Sequence, residues 1–277
     1  MRNAEEHPGF RVPHSEFRIG LGCVLMSVAA IVPAAGASRR FGPGRNKLFA
    51  PLAGRPLLAH TLLALQQAGP VRWIIIPAQA GEHRRIQAIL RRYCITKALP
   101  LVVGGASRAE SVARAVAALP PAARWVLIHD GARPCVTPRV IRSAVVAARR
   151  WGGVACGQPA WLTVKEVSKD GRVRRTLDRG RLWFAQTPQI VRRDWLTRAL
   201  ARTGRRVRQF PDDVSILEAA GLPVHLVPGD PLNLKVTTRE DLLLAEAILQ
   251  KRARRSGLGT RRSDPPETMI RMLTSGL

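Results

Sequence analysis

Acidic residues are scarce in this 277-residue chain: 19 aspartates and glutamates stand against 45 lysines and arginines, a net charge of +26. That imbalance points to anionic partners: nucleic acid, phosphorylated metabolites or a membrane surface. Nearly all of the excess is arginine in an alanine-rich composition, so genomic base bias explains it better than function does. Long hydrophobic runs are missing too. No stretch reaches the roughly eighteen apolar residues of a spanning helix, so no membrane role is expected. Residues 19–35 imitate the core of a signal peptide, but mixed charges precede them and they run straight into a glycine-rich loop, which makes their end a first strand. The four cysteines, Cys23, Cys94, Cys135 and Cys156, form no close pair. Their scatter argues against a zinc site and suits a reducing cytoplasm. No internal repeat is visible.

At 46% apolar and 23% charged residues, the chain is globular rather than disordered, with length for one substantial core and a small appendage. Residues 1–26 read as an unstructured leader, with Met26 an alternative start, and the core unit spans 27–250. Short β-rich runs alternate with helical ones. Strands are expected at 28–32, 73–77, 100–103, 125–129, 153–158, 163–167 and 223–227, and helices at 56–68, 82–92, 108–118, 138–150, 194–203, 213–220 and 239–251. This alternation implies right-handed βαβ units in an α/β fold, a mainly parallel sheet with helices on both faces. Residues 159–182 break the rhythm with two polar runs around Lys169-Asp170-Gly171, where Asp-Gly signals a hairpin. That segment is either a protruding β-arm or an ordinary surface excursion. Residues 251–277, basic and then Pro- and Ser-containing, read as a disordered tail.

The chemistry begins in the loop Val32–Lys47, VPAAGASRRFGPGRNK. It follows the first strand, at the end of an α/β sheet where ligands bind. Gly36, Gly42 and Gly44 let backbone N–H groups approach phosphate oxygens, and Arg39, Arg40, Arg45 and Lys47 bring positive charge to the same place. It is neither a Walker loop nor a dinucleotide loop. On residue chemistry alone, a solvated turn explains it equally well.

Six blocks in order carry more. VPAAGASRRFG with NKLFAPLAGRPLLAHTL is followed by GGASRAESV (104–112), HDGARP (129–134), Val164-Lys165, TLDRGRLWFAQTPQ (176–189) and NLKVTTREDLLLAEAIL (233–249). The series resembles the 2-C-methyl-D-erythritol 4-phosphate cytidylyltransferases of the non-mevalonate isoprenoid pathway. The resemblance implies a nucleotide-diphospho-sugar transferase-like, Rossmann-like domain whose β-arm interlocks a cytoplasmic homodimer. It also implies the reaction, transfer of the cytidylyl group of CTP to methylerythritol phosphate with release of pyrophosphate. Mg2+ is expected to bind mainly through the CTP phosphates, with no dedicated protein metal site.

Roles carry over by matching position. Arg40, Lys47, Arg179 and Lys235 match the catalytic cations: the first two stabilise the α-phosphate, and the last two place the attacking phosphate. Ala34, Ala35, Gly36, Gly105 and Ser111 match positions around the base and loop. Asp130, with Arg133 beside it, matches the acidic residue near ribose and metal. Thr163 and Thr187 match hydroxyls lining the substrate phosphate pocket. His129 is expected to be structural, since an ionised phosphate nucleophile needs no general base. Trp125, Trp151, Trp161, Trp183 and Trp195 read as core or arm packing.

The pattern departs from the family at three places. Asn46 stands where proline usually precedes the loop lysine, Leu162 where an aspartate usually precedes the arm threonine, and Pro211 where a threonine is usual. Two other functions remain to be weighed, a sibling cytidylyltransferase acting on ribitol 5-phosphate and a non-catalytic basic nucleic-acid-binding protein, for which no binding motif is visible. Residues 255–259 faintly echo the opening of a cyclodiphosphate synthase domain, but its Asp-x-His ligands do not follow, so no second activity is expected.

Overall fold

A computed structural model describes residues 26–36, 38–41 and 46–255. The expected leader up to residue 25 (with Cys23), the tail from 256, and Gly42, Gly44 and Arg45 of the glycine-rich loop lie outside the described residues. The chain opens with β1 (Val28–Ile31), then β2 (Pro51–Leu52), β3 (Arg55–Pro56), α1 (Leu57–Gln67), β4 (Val71–Ile75), β5 (Pro77–Ala78) and α2 (His83–Arg92). It continues through β6 (Val102–Val103), α3 (Arg108–Ala117), β7 (Trp125–Ile128), α4 (Pro138–Trp151), β8 (Gly153–Pro159), β9 (Val164–Val167) and β10 (Val173–Leu177). Last come β11 (Trp183–Arg192), α5 (Arg193–Thr203), α6 (Asp213–Ala219), β12 (His225–Pro228) and α7 (Arg239–Arg255). No helix among the described residues is long and apolar enough to cross a membrane.

Six strands form the central sheet in the order β12-β8-β11-β7-β1-β4. All run one way except β11, which is antiparallel to both neighbours. The expected α/β class with a mainly parallel sheet therefore holds. β1 is apolar throughout because both faces of it are covered. Val28, Ala30 and Val32 pack with α1, α2, α4 and α7 on one side, whereas Ala29 and Ile31 pack with α3, α5 and α6 on the other. At about 25 cal/mol per Å2 of apolar area, these two cores supply the main drive for folding.

β11 has no counterpart among the strands expected from sequence. Pro188 interrupts its apolar run, and the pairing with β8 shifts register between Ala185 and Gln189. A proline inside a run argues locally against a strand, and here the interruption is accommodated as an irregularity in the ladder. The Asp-Gly signal marks a real turn: β9 and β10 pair antiparallel, with Val164 opposite Leu177, and Gly171 takes a positive φ of 85° at the tip. The hairpin joins no other strand. Lys251–Arg255, read from sequence as tail, form the last turn of α7. Arg252 accounts for the extension, since its Nη2 lies 3.0 Å from Asp230 Oδ2.

Candidate active site

A cleft of about 630 Å3 opens at the carboxyl ends of β1 and β7. One wall is the chain leaving β1, with Ala34, Ala35, Gly36 and Arg40, followed by Lys47. A second is the Gly104–Arg108 turn entering α3, and the third joins Asp130, at the end of β7, to Lys235. The position obeys the rule that open α/β sheets bind ligands beyond their carboxyl strand ends.

The loop after β1 is hung on its neighbour strand by Val32 N donating to Ile75 O (2.9 Å) and Ala34 N to Pro77 O (2.9 Å). Gly104 faces it so closely that a Cβ there would run into Ala35 Cβ, and one on Gly105 would run into Glu110. Glycine at both positions is thus a steric requirement. Ser107 caps α3, its Oγ accepting from Glu110 N at 3.1 Å. Ser111 is buried; its Oγ accepts from Gly105 N (3.0 Å) and donates to Ser107 O (2.9 Å), which fixes the turn.

Asp130 is the electrostatic centre. Its Oδ1 receives Arg108 Nη2 at 3.2 Å, while its Oδ2 meets Lys235 Nζ at 3.0 Å and Arg133 Nε at 3.4 Å. Burial alone would raise its pKa, but Arg108, Lys235 and Arg133 outweigh burial and hold the carboxyl well below the usual carboxylate range. Arg108 also reaches Asp213 Oδ2 at 2.7 Å, so one guanidinium joins two carboxylates. The segment bearing Lys235 is pinned by Val236 N donating to Ala132 O (2.8 Å), Arg133 Nη1 to Asn233 O (2.8 Å) and Asn233 Nδ2 to Thr187 O (2.7 Å). Lys47 has its pKa lowered by burial, then by the like charges of Lys235 and Arg40.

Among the described residues, Arg40, Lys47, Arg108 and Lys235 line the cleft against the single carboxylate of Asp130. Arg108 is balanced by Asp130 and Asp213 and Lys235 by Asp130, while Arg40 and Lys47 have no ion pair among the described residues, and that surplus of positive charge suits a polyphosphate. As for a metal, no group of three His, Cys, Asp or Glu side chains that could hold one occurs among the described residues. Asp130 offers one carboxylate already shared by three cations, so a divalent ion here would draw most of its ligands from a bound polyphosphate.

Of the residues expected from sequence, Ala34, Ala35, Gly36, Arg40, Lys47, Gly105, Ser111, Asp130 and Lys235 come together in the cleft. Arg133 lies in the wall behind Asp130. Thr187, expected to line the pocket, is instead buried behind that wall. Its Oγ1 lies 3.1 Å from Asp130 N and 3.0 Å from His129 Nδ1, because a hydroxyl beside a neutral buried imidazole satisfies both groups. Arg179 and Thr163 are placed elsewhere. Both are exposed on the β9–β10 hairpin and its return, with Arg179 Nη1 donating to Trp161 O at 2.9 Å, and neither lines this cleft. Arg108 was not singled out from sequence. The available signal was its place in the first turn of a helix, where a cation opposes the dipole unless a carboxylate holds it.

A larger depression of about 900 Å3 lies at the other end of the sheet, lined by Arg124, Trp125, Arg150, Trp151 and Trp195 among others. Its arginines are largely engaged: Arg192 and Arg198 on Asp194, Arg193 on the carbonyls of Leu119 and Pro120. It lies at the amino ends of the parallel strands β7 and β8, so the smaller cleft is the candidate site.

Known proteins resemble this chain over most of its length. The model of the 2-C-methyl-D-erythritol 4-phosphate cytidylyltransferase family matches residues 28–251. The chain is 40% identical to the protein of that name from Nostoc sp. over 222 residues, 80% of this chain and 97% of that one. It is 41% identical to that from Synechococcus elongatus, again over 80% of this chain and 96% of the relative. Among solved structures, the 2-C-methyl-D-erythritol 4-phosphate cytidylyltransferase of Thermus thermophilus superposes with a TM-score of 0.65 at 31% identity, over 80% of this chain and 98% of that one.

Proposed function

The chain belongs to the 2-C-methyl-D-erythritol 4-phosphate cytidylyltransferase family, and from that premise we propose how its residues divide the reaction. It is a nucleotidyltransferase: it transfers the cytidylyl group of CTP to 2-C-methyl-D-erythritol 4-phosphate, giving the diphosphocytidyl product and pyrophosphate for isoprenoid biosynthesis. A phosphate oxygen of the acceptor attacks the α-phosphorus in line, and the bond to the bridging oxygen of the β-phosphate breaks as pyrophosphate departs. No enzyme nucleophile and no general base are needed, so positioning and charge neutralisation supply the rate.

The observation that carries this division is the convergence of Arg40, Lys47 and Lys235 beside one fully compensated carboxylate. Arg40 and Lys47 neutralise the charge that builds on the α-phosphate. Burial, and after it the like charges of Lys235 and Arg40, lower the Lys47 pKa; CTP supplies the counter-charge, so part of the binding energy comes from cations already gathered. Lys235 is held by Asp130 on one side and faces the cleft on the other, which suits it to the acceptor phosphate. Ala34, Ala35, Gly36, Gly105 and Ser111 shape the pocket for cytosine. Mg2+, held chiefly by the triphosphate with Asp130 nearby, would neutralise charge on the phosphates.

Arg179 and Thr163 fit this scheme through a second copy. The arm carrying them exposes Trp161 (62%), Leu162 (63%), Val167 (51%) and Val173 (54%), an apolar load unusual for a free hairpin. In a homodimer, each arm packs against the partner and delivers Arg179 to the partner's cleft. A cytoplasmic setting accords with free thiols at Cys94, Cys135 and Cys156.

The test is pyrophosphate release from CTP and magnesium, with methylerythritol phosphate or ribitol 5-phosphate as acceptor. Release is expected with the former, and none with either would sink the reading. Arg179→Ala should lose about a hundredfold or more in turnover while CTP affinity is retained, since it touches only the acceptor. A near-normal rate would refute its role.

A further inference from the structure

The cleft loop is tied at its entry and its exit by one short segment that contributes nothing to the cleft's charge. Between β5 and α2, Gln79 is followed by a single 3-10 turn, Ala80–Glu82. Gln79 Nε2 donates to Ala35 O (3.1 Å), where the loop leaves β1. Glu82 Oε1 accepts from Asn46 Nδ2 (2.6 Å), where the loop ends. Asn46 then uses its other side-chain atom twice, Oδ1 accepting from Leu48 N (3.0 Å) and from Ser38 Oγ (3.2 Å). Ser38 Oγ in turn accepts from Lys47 N at 3.4 Å.

Two features show that this network constrains the loop rather than decorating it. Ser38 has a φ of 51°, a left-handed conformation that serine keeps only where its surroundings hold it. Glu82 Oε2 is buried and has no hydrogen-bond partner among the described residues, so the bond to Asn46 is the carboxylate's main compensation. A charge-assisted bond of that length is of the strong kind. Lys47 follows Asn46 directly and lines the cleft, while Glu82 itself does not.

We propose that Glu82 and Asn46 form a latch that fixes Lys47 in the cleft wall before CTP arrives. The proposal rests on the cytidylyltransferase reading above. Glu82 is a positioning residue, acting on the substrate only through Asn46, and Asn46 replaces with hydrogen bonds the stiffness that a proline would give this joint. With the latch broken, only a fraction of molecules present Lys47 in place, and apparent affinity falls by that fraction. Bound CTP then restores that placement, so turnover of the complex changes little.

The experiment measures CTP dissociation constants by calorimetry alongside steady-state kinetics. Glu82→Ala should raise both the CTP dissociation constant and its KM about tenfold, with kcat within about threefold and the acceptor KM unchanged. Glu82→Gln keeps an acceptor oxygen for Asn46 and should recover most of that loss. Asn46 has φ −79° and ψ 116°, a conformation proline can adopt. In the Asn46→Pro background, Glu82→Ala should therefore cost less than about twofold, since its partner is gone. Unchanged CTP affinity in Glu82→Ala overturns the latch, as does an equal loss in both backgrounds. Should Glu82→Ala fail to fold, Asn46→Ala breaks the same bond from the loop side, and normal CTP affinity there overturns it too. Wild-type protein that binds no CTP would instead sink the functional reading on which the latch depends.

Discussion

His129 shows how little a residue's type says about its task. It is fully buried, with Nδ1 3.0 Å from Thr187 Oγ1 and Nε2 3.3 Å from Arg133 O, and burial pushes its pKa down to about 4 against a partial opposing pull from Asp130. It is a neutral strut behind Asp130 and no proton carrier. The linkage has a definite sign. Below the unfolded pKa near 6.5 the unfolded chain takes up a proton that the native state refuses, so stability falls as pH drops from about 6.5 to about 4 and levels off below. At 1.36 kcal/mol per unit the contribution is at most about 3 kcal/mol. Thermal unfolding should show this loss between pH 7 and pH 5, and His129→Asn should flatten that stretch of the profile. An unaltered profile in the variant would contradict a neutral buried His129. Arg108 teaches a related lesson: a cation at a helix start is out of place by local rules, and only Asp130 and Asp213, from distant parts of the chain, make it favourable.

Elements divide into those written locally and those made by their neighbours. α3 and α4 announce themselves through capping residues, Ser107 and Thr137, whose hydroxyl oxygens accept from Glu110 N and Val140 N. β1 and β7 do so through apolar runs. β11 does not, because its pairing on both sides overrides the proline that interrupts it. The β9–β10 hairpin lies between these cases. Asp170-Gly171 encodes its turn, but in the proposed homodimer its purpose would depend on the partner's surface. That dependence gives a sharp prediction. Arg179→Ala and Lys47→Ala, each nearly inactive alone, should regain up to about a quarter of wild-type activity when their subunits are exchanged, because half of the dimers carry one site with neither defect. Activity assays after mixing, with the dimer followed by sedimentation, check it. No recovery despite subunit exchange would place Arg179 and Lys47 in one chain's site.

At the scale of the whole molecule, the +26 charge is compatible with anionic substrates without any nucleic-acid motif being needed. Much of the arginine is tied into structure, as with Arg193 on two carbonyls and Arg252 on Asp230, which fits a compositional origin for the excess. What remains still sets up a long-range field around the cleft. Raising the salt from about 50 to about 300 mM shortens the screening length to well under 10 Å, and kcat/KM for CTP should fall at least about threefold at constant magnesium, with kcat held. Steady-state kinetics across that range decide it, and a flat kcat/KM would confine the electrostatics to the cleft itself.

The sequence by itself determined the α/β alternation, the two-sided burial of β1 and the family, because each is carried by local periodicity or by contiguous motifs. It also held Arg40, Lys47, Asp130 and Lys235, though as separate points spread over nearly two hundred positions. Tertiary structure alone decided that Arg108 ties Asp130 to Asp213, that Thr187 supports the wall instead of lining the cleft, and that the exposed arm stands apart from its own chain's cleft. It also gave Asn46 a partner in Glu82, thirty-six positions away. The reason is physical: hydrogen bonds and ion pairs act over a few ångströms, and which side chains come within that reach is set by strand order, which no local pattern spells out.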